Sequence, residues 1–309
     1  MPQLTIDGRT VIVEQDTTIL QACEKLNIHV PTLCYLKGLA PEGACRMCLV
    51  EVEGARSLQT ACSTPCSEGA IVHTASPKVI EARRFVLQML LSNHKKDCFA
   101  CAKSGECKLQ DLCYEYGVEE DVYAGIRSDK PIDDSSHFFS YDPQKCILCH
   151  RCERTCNDLQ VNSTISLAGR GFKTEICVPF DKLLIDSNCA SCGNCVSVCP
   201  TGALTAKQQI RYRFWETERT ATTCTYCGVG CQMELLTKNG KVVGVQPLDG
   251  PTNNGLLCVK GKFAHHFINH KDRLTKPLIR KDGKFVEAEW DEAMSLIADK
   301  IKAVKSESG

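Results

Sequence analysis

The chain opens with short runs in which apolar and polar residues alternate, a pattern typical of β-strands. Two such runs, residues 4–6 and 11–13, flank an Asp-Gly pair at positions 7 and 8, which predicts a hairpin. Residues 49–52 and 71–74 predict further strands. With a helix between the hairpin and the later strands, this order of elements predicts a β-grasp fold for the first module.

Three other segments have helical periodicity. Asp16 is the expected N-cap of a first helix, and Ser76 followed by Pro77 predicts the start of a second helix that ends near Asn93. A third, amphipathic helix is predicted over residues 290–297. The apolar faces of the first two helices are formed by Ile19, Leu20, Cys23 and Leu26, and by Val79, Ile80, Val86, Leu87 and Leu90.

Cysteine changes this picture, because the chain has 23 cysteines among 309 residues. Most of them, together with one histidine, form five sets of four with the spacing of iron–sulfur ligands. The sets are Cys34, Cys45, Cys48 and Cys62; His94, Cys98, Cys101 and Cys107; Cys146, Cys149, Cys152 and Cys156; Cys189, Cys192, Cys195 and Cys199; and Cys224, Cys227, Cys231 and Cys258. The cysteines outside the sets are Cys23, Cys66, Cys113 and Cys177.

These cysteines are expected to be reduced thiolates that bind metal. The N-terminal residues show no basic and then apolar leader, so we expect a cytoplasmic protein rather than a secreted disulfide scaffold. No run of about 18 apolar residues occurs, so no membrane span is expected. The 37 basic and 37 acidic residues cancel, which argues against a general nucleic-acid binder.

The first cysteine set has a spacing related to, but not identical with, the plant-type [2Fe–2S] pattern. Zinc is the competing interpretation, although zinc ligands usually come as paired knuckles. Cys66, which follows Cys62 by four residues, is an alternative fourth ligand.

Two of the cysteine runs form an internal repeat. Each reads C-x2-C-x2-C-x3-C; Pro200 follows the second run, whereas Asn157 follows the first. This run is the bacterial ferredoxin signature, in which the fourth cysteine binds the other cluster. We therefore expect one [4Fe–4S] cluster on Cys146, Cys149, Cys152 and Cys199, and a second on Cys189, Cys192, Cys195 and Cys156.

The first two sets resemble modules of known redox proteins. The first spacing resembles the N-terminal domain of the large iron–sulfur subunit of respiratory complex I and of [FeFe] hydrogenases. H-x3-C-x2-C-x5-C, with residues 105–112, looks like the module of the same complex I subunit that has one His and three Cys ligands. This resemblance implies that His94, rather than the competing Cys113, is the fourth ligand.

The last set, with Gly228 and Gly230 between its ligands, resembles the cluster domain of molybdopterin oxidoreductases. Residues 258–263 and 272–278 look similar to formate dehydrogenases. The resemblance implies that Lys260 lies between the cluster and a pterin; the alternative is a surface lysine. Residues 259–285 carry eight Lys and Arg against two Asp, which is typical of a solvated face and could also meet a partner protein.

The expected fold class is α+β, a string of small iron–sulfur modules. The expected modules are a β-grasp [2Fe–2S] ferredoxin at residues 1–78, a helical [4Fe–4S] module with one His and three Cys ligands at 79–118, a bacterial-type 2[4Fe–4S] ferredoxin at 138–207, a molybdopterin-oxidoreductase-type [4Fe–4S] domain at 217–276, and the start of a molybdopterin-type region at 277–309. One [2Fe–2S] and four [4Fe–4S] clusters are therefore expected. We expect this chain alone to bind no flavin, NAD or molybdopterin.

The resemblance implies an electron-transfer subunit of an NAD(P)H- or ferredoxin-linked oxidoreductase, which could be electron-bifurcating. Its implied partners are a flavin (FMN or FAD) subunit that binds NAD(P)H, a small [2Fe–2S] subunit, and ferredoxin or a further catalytic subunit. The alternative is the N-terminal fragment of a molybdenum or tungsten formate dehydrogenase catalytic subunit. A zinc-rich interaction protein is a third, weaker interpretation.

Overall fold

The computed structural model describes residues 1–119 and 122–309, and these form two compact units. The first unit is Met1–His265 and contains all twenty predicted ligands; the second is His266–Gly309. The predicted modules at the start of the chain therefore pack together within one unit.

A five-stranded sheet with strand order β2-β1-β5-β3-β4 forms the first module. Its strands are β1 Gln3–Ile6, β2 Arg9–Ile12, β3 Leu49–Val52, β4 Gln59–Thr60 and β5 Ile71–His73. The predicted hairpin is confirmed: Ile6 pairs with Arg9, and Asp7 and Gly8 form the turn with φ of 46° and 79°. β1 runs parallel to β5, and the other pairs are antiparallel.

Helix α1, Ile19–Lys25, packs its buried face on this sheet, but its predicted N-cap was wrong. Thr18, not Asp16, is the N-cap: its hydroxyl accepts the N–H of Gln21, and the Gln21 side chain accepts the N–H of Thr18. Asp16 lies two residues earlier in a left-handed turn with φ of 66°, so its carboxylate is not at the helix entry. The Thr-x-x-Gln capping box was the sequence signal for the correct start.

Helices α2, Pro77–Asn93, and α3, Lys108–Tyr116, form the second module. The predicted start of α2 is confirmed, because the Ser76 hydroxyl accepts the Val79 N–H at 3.4 Å. Leu87 and Leu91 of α2 share a core with Leu33 and Met47 of the first module. The two modules are therefore joined by a common hydrophobic core.

The repeated cysteine runs lie in a third module with two short helices, α4 Arg151–Arg154 and α5 Asn194–Val198. A π-helical turn, Thr155–Leu159, continues α4. Two antiparallel strand pairs flank the helices: β6 Phe139–Tyr141 with β9 Leu204–Ala206, and β7 Ser166–Ala168 with β8 Glu175–Cys177. Cys177, which lies outside the predicted sets, is half-buried at the end of β8.

An antiparallel three-stranded sheet and a short helix complete the first unit. The strands are β10 Glu218–Thr223, β11 Gln232–Lys238 and β12 Lys241–Pro247, and the helix is α6 Val259–Phe263. The Phe263 ring stacks on Phe138 of the third module with centroids 5.1 Å apart.

The second unit contains a hairpin and a long helix. β13 Leu278–Lys281 pairs with β14 Lys284–Glu287, and α7 spans Trp290–Ser308, which confirms the predicted third helix. Ile279, Ala288 and Ala293 form its small core. None of the helices in the described ranges is long and apolar enough to cross a bilayer.

The core that the first two modules share predicts that a buried side chain of α2 contributes to their stability. Leu87 is fully buried there, so Leu87→Ala should cost about 2–5 kcal/mol of stability. Met89, on the same helix but 41% exposed, provides the control, because Met89→Ala should change stability by only about 0.5 kcal/mol. Anaerobic thermal unfolding measures both variants, and equal midpoints would contradict the burial argument.

Candidate iron–sulfur sites

The structure brings the four cysteines of the first set together as two hydrogen-bonded pairs. Cys34 pairs with Cys45, and Cys48 pairs with Cys62. The Cys45 thiol lowers the pKa of Cys34 to about 6, and the Cys48 thiol lowers the pKa of Cys62 to about 7. In each pair the hydrogen bond therefore favours the thiolate form of one cysteine, the form that binds iron.

The loop of residues 42–48 wraps this set with its backbone. The N–H groups of Ala44 and Cys45 point at the sulfur of Cys34, and that of Gly43 points at Cys62. The left-handed φ of Gly43 (63°) gives the loop this turn. Cys66 instead lies in the electrostatic environment of Cys23 and Lys25. The structure thus groups the four predicted ligands, and their assignment to a [2Fe–2S] cluster stays a prediction.

In the second set, the structure does not separate the predicted fourth ligand, His94, from the competing Cys113. Cys107 has Cys101 and Cys98 as electrostatic neighbours, so the three predicted thiols lie together. Cys113 also has Cys107 and Cys98 as neighbours. The choice between His94 and Cys113 as fourth ligand therefore stays a prediction.

His94 has the properties that a ligand needs. Its ring is 8% exposed at the C-terminal end of α2, and its Nδ1 is buried with no hydrogen-bond partner. Burial lowers the pKa of His94 to about 4, so the imidazole is neutral and has a lone pair to donate. A buried polar atom with no partner in the protein fits a nitrogen that binds iron.

The structure groups the repeated runs crosswise, as the bacterial signature predicts. One enclosed cavity is lined by Cys146, Cys149, Cys152 and Cys199, together with Tyr141, Ile147, Ile176 and Leu204. Cys156 instead has an electrostatic influence on Cys189 and Cys195. The fourth cysteine of each run thus lies with the first three of the other run.

Both runs use the same backbone geometry around the sulfurs. Leu148 and Ser191 occupy equivalent positions, have φ of 51° and 53°, and donate their N–H groups to Cys146 and Cys189 at 3.4 Å. Hydrogen bonds to cluster sulfurs are one determinant of reduction potential. The repeat therefore extends from the cysteines to the backbone that surrounds them.

The last set is also assembled. Cys231 has Cys224, Cys227 and Cys258 as electrostatic neighbours. A Cβ added at Gly261 would lie 3.7 Å from the Cys224 sulfur, so helix α6 packs closely on this set. Cys227 and Cys258 are exposed, which places this site at the surface of the first unit.

Lys260 lies on α6, two residues after Cys258, and its side chain is exposed. Lys262, one of its neighbours on the same helix, is buried; its Nζ donates to the Val245 carbonyl at 2.8 Å and to Gln246 Oε1 at 3.3 Å. The predicted pterin-facing role of Lys260 stays a prediction.

Within residues 1–119 and 122–309, no three His, Cys, Asp or Glu side chains converge tightly enough to hold a single metal ion. The fit to clusters rests instead on the grouped thiols, the N–H groups directed at sulfur and the unpartnered His94 nitrogen.

Hydrogen bonds next to the predicted ligands join the sites to each other. The Arg154 guanidinium, two residues after Cys152, donates to the carbonyl of Cys34 at 2.6 Å. The Lys108 N–H, adjacent to Cys107, donates to the carbonyl of Pro200, adjacent to Cys199, at 2.9 Å.

The third such contact joins the second repeat to the last site. The Asn194 side chain, next to Cys195, donates to the Leu257 carbonyl at 2.9 Å and accepts the Leu257 N–H at 3.0 Å. Leu257 directly precedes Cys258. These contacts join the first and second sets to one site of the repeat and the last set to the other, and the crosswise cysteine runs join the two sites of the repeat.

Sequence reasoning missed buried cations near these sites. Arg151 and Arg154 lie inside the first cysteine run, and Lys262 lies on α6; all are less than a tenth exposed. The sequence carried a signal for two of them, because two arginines lie among closely spaced cysteines that a cluster would bury, and arginine is seldom fully buried.

Family models match successive parts of the chain. They are described as a 2Fe-2S iron-sulfur cluster binding domain at residues 2–77, an NADH-ubiquinone oxidoreductase-G iron-sulfur binding region at 83–121, an NADH-quinone oxidoreductase subunit 3 ferredoxin-like domain at 137–205, a molybdopterin oxidoreductase Fe4S4 domain at 217–270, and a molybdopterin oxidoreductase domain at 273–309. The chain thus has a 2Fe–2S domain and several 4Fe–4S binding domains.

Several curated proteins are similar over the whole chain. NADPH-Fe(3+) oxidoreductase subunit alpha of Geobacter sulfurreducens is 38% identical, over 100% of this chain and 36% of that protein. A G-type subunit of the NADH-quinone oxidoreductase of Rhizobium meliloti is 38% identical, over 97% and 35%. A candidate formate dehydrogenase of Staphylococcus aureus is 34% identical, over 99% and 35%. The chain spans about a third of the length of these relatives.

A solved structure shares the fold of much of the chain. A crystal structure of an NAD+-reducing [NiFe]-hydrogenase in the H2-reduced state matches with a TM-score of 0.62 and 29% identity, over 67% of this chain and 87% of that chain.

The five predicted ligand sets predict the metal content. One [2Fe–2S] and four [4Fe–4S] clusters require about eighteen iron atoms per chain and no stoichiometric zinc. Anaerobic iron, sulfide and zinc determination on the reconstituted protein measures this. Iron below about half of that value, or stoichiometric zinc, would contradict the five-cluster assignment.

The unpartnered His94 nitrogen predicts the effect of replacing it. His94→Ala should leave the site of Cys98, Cys101 and Cys107 one ligand short and prone to lose iron. His94→Cys should keep the cluster at a lower reduction potential, because a thiolate adds negative charge. EPR-monitored redox titration measures both variants, with Cys113→Ser as the control that should change neither signal nor potential. An unchanged alanine variant, with a lost cluster in Cys113→Ser, would identify Cys113 as the ligand.

Proposed function

Because the chain carries the iron–sulfur domains of an NADH-quinone oxidoreductase G-like, formate dehydrogenase-like electron-transfer subunit, we propose that it conducts single electrons between a flavin subunit and a second redox partner. We place it in a multi-subunit, cytoplasmic complex linked to NAD(P)H or ferredoxin. Iron–sulfur clusters, when bound, accept and release one electron at a time.

The observation that carries this proposal is the continuity of the sites. The contacts Arg154 to Cys34, Lys108 to Pro200, and Asn194 to Leu257 each join two of the sites through hydrogen bonds beside their ligands. A protein that used metal only to stabilise separate modules would not need such contacts. They support a role in which this chain fixes the spacing and orientation of consecutive redox centres.

The protein residues around each site would set the potential and exclude water. Apolar side chains line the cavity of the first repeat, while N–H groups are directed at the sulfurs. Burial, hydrogen bonding and ligand type are the means by which a protein adjusts a cluster potential.

The proposed partners would bind at the two ends of the series of sites. We propose that the first module faces the flavin subunit that binds NAD(P)H, with a small [2Fe–2S] subunit nearby. We propose that the surface around the exposed Cys227 and Cys258 faces the second partner, either ferredoxin or a catalytic subunit.

A second candidate is the N-terminal part of a molybdenum or tungsten formate dehydrogenase catalytic subunit. The match of residues 273–309 to a molybdopterin oxidoreductase family model favours it. The exposed Lys260, next to the last cysteine set, would then face the pterin of the remaining domain.

Turnover assays separate these functions. The isolated chain with intact clusters should oxidise neither formate nor NAD(P)H with viologen dyes, because hydride chemistry needs a two-electron acceptor. Addition of the proposed flavin subunit should allow NAD(P)H to reduce its clusters, seen as EPR signals. Formate oxidation by the isolated chain would overturn the proposal. Clusters that stay oxidised with the flavin subunit and NAD(P)H would also contradict it.

A further inference from the structure

Arg151 is a buried cation with no counter-charge among the residues that the structure describes. Its side chain is 8% exposed, and its Nε is buried with no hydrogen-bond partner. The Nε of Arg154, one turn later on the same helix, also lacks a hydrogen bond, but it lies 3.5 Å from a carboxylate oxygen of Glu42, and the Arg154 Nη groups donate to the carbonyls of Cys34 and Ala40. The two arginines are therefore held in different ways.

A guanidinium keeps its proton in proteins, and burying it without an anion is costly. Arg151 directly precedes Cys152, and Arg154 of the same helix donates to the Cys34 carbonyl, so this helix lies against both sets. The thiols that act favourably on Arg151 are Cys149 and Cys199 and, to a smaller extent, Cys34, whereas Arg154 repels it. These thiols belong to two different sets. Each set would hold a negatively charged cluster that gains a further negative charge on reduction.

The second repeat shows that a cation is not required by the cysteine motif itself. Asn194 occupies the position equivalent to Arg151, and its neutral amide binds the backbone of Leu257. The charge at Arg151 is thus specific to the side of the module that meets the first set.

We propose that Arg151 is the shared counter-charge of the cluster on Cys34, Cys45, Cys48 and Cys62 and of the cluster on Cys146, Cys149, Cys152 and Cys199. A fixed positive charge close to both favours the reduced form of both. Arg151 is thus a positioning residue that acts through its charge. It raises the reduction potentials of both clusters together, so an electron is stabilised on either cluster. This inference rests on the proposed electron-transfer function.

Equilibrium redox titration tests this without any partner subunit. In Arg151→Gln, the ratio of reduced to oxidised form at a fixed potential should fall about tenfold for both clusters, which corresponds to about 59 mV. Arg151→Lys keeps the charge and should keep most of both potentials. The matched control is Arg170→Gln, which removes the same charge from an exposed position of the same module and should change neither potential.

EPR signals assigned through ligand variants such as Cys149→Ser identify the two clusters. Unchanged potentials in Arg151→Gln with full iron content would overturn the proposal, as would an equal shift in Arg170→Gln. Loss of iron in Arg151→Gln would also contradict it, because Arg151 would then be structural. Failure of the flavin subunit to reduce the chain would count against the proposed function but would leave these mediator-based potentials unaffected.

Discussion

Cysteine sulfur within the hydrophobic cores is the constraint on which the rest of this structure depends. Each of the four cores that the described residues of the first unit form contains at least one predicted ligand: Cys48 and Cys62 in the first, Cys152, Cys195 and Cys199 in another, and Cys107 and Cys224 in the remaining two. Small modules bury too little apolar surface to be stable unaided, and metal centres commonly supply the missing stability. The residues that would hold the clusters are thus also part of the cores of the modules.

The sequence was informative wherever the structure is decided by neighbours in the chain. The Asp-Gly hairpin and the Ser-Pro start of α2 were predicted correctly because turn and cap chemistry act over a few residues. The cysteine sets were recognisable because a cluster demands ligands at short, repeated spacings. The one wrong cap, Asp16 for Thr18, was also a local error, since the capping box of Thr18 and Gln21 was present in the sequence.

The arrangement of the sites could not be predicted in the same way. Glu42 meets His150 at 3.0 Å, and Arg154 meets Cys34, although more than a hundred residues separate each pair. Nothing in the local pattern around His150 or Arg154 indicates a partner at that distance along the chain. The choice between His94 and Cys113 depends on side-chain geometry around a cluster, which spacing alone does not determine.

His150 and Gly193 occupy the same position of the two repeats, and both have a left-handed backbone, with φ of 57° and 76°. The His150 side chain reaches Glu42 of the first module, whereas any side chain at Gly193 would collide with the Phe263 ring. A duplicated unit with two identical ends could pack between its neighbouring modules in either of two orientations. One end of the duplicated unit carries the His150 side chain, which reaches Glu42, and the other end has space at Gly193 for the Phe263 ring. Because the two ends differ in this way, the order of the unit's two sites along the protein is fixed by shape.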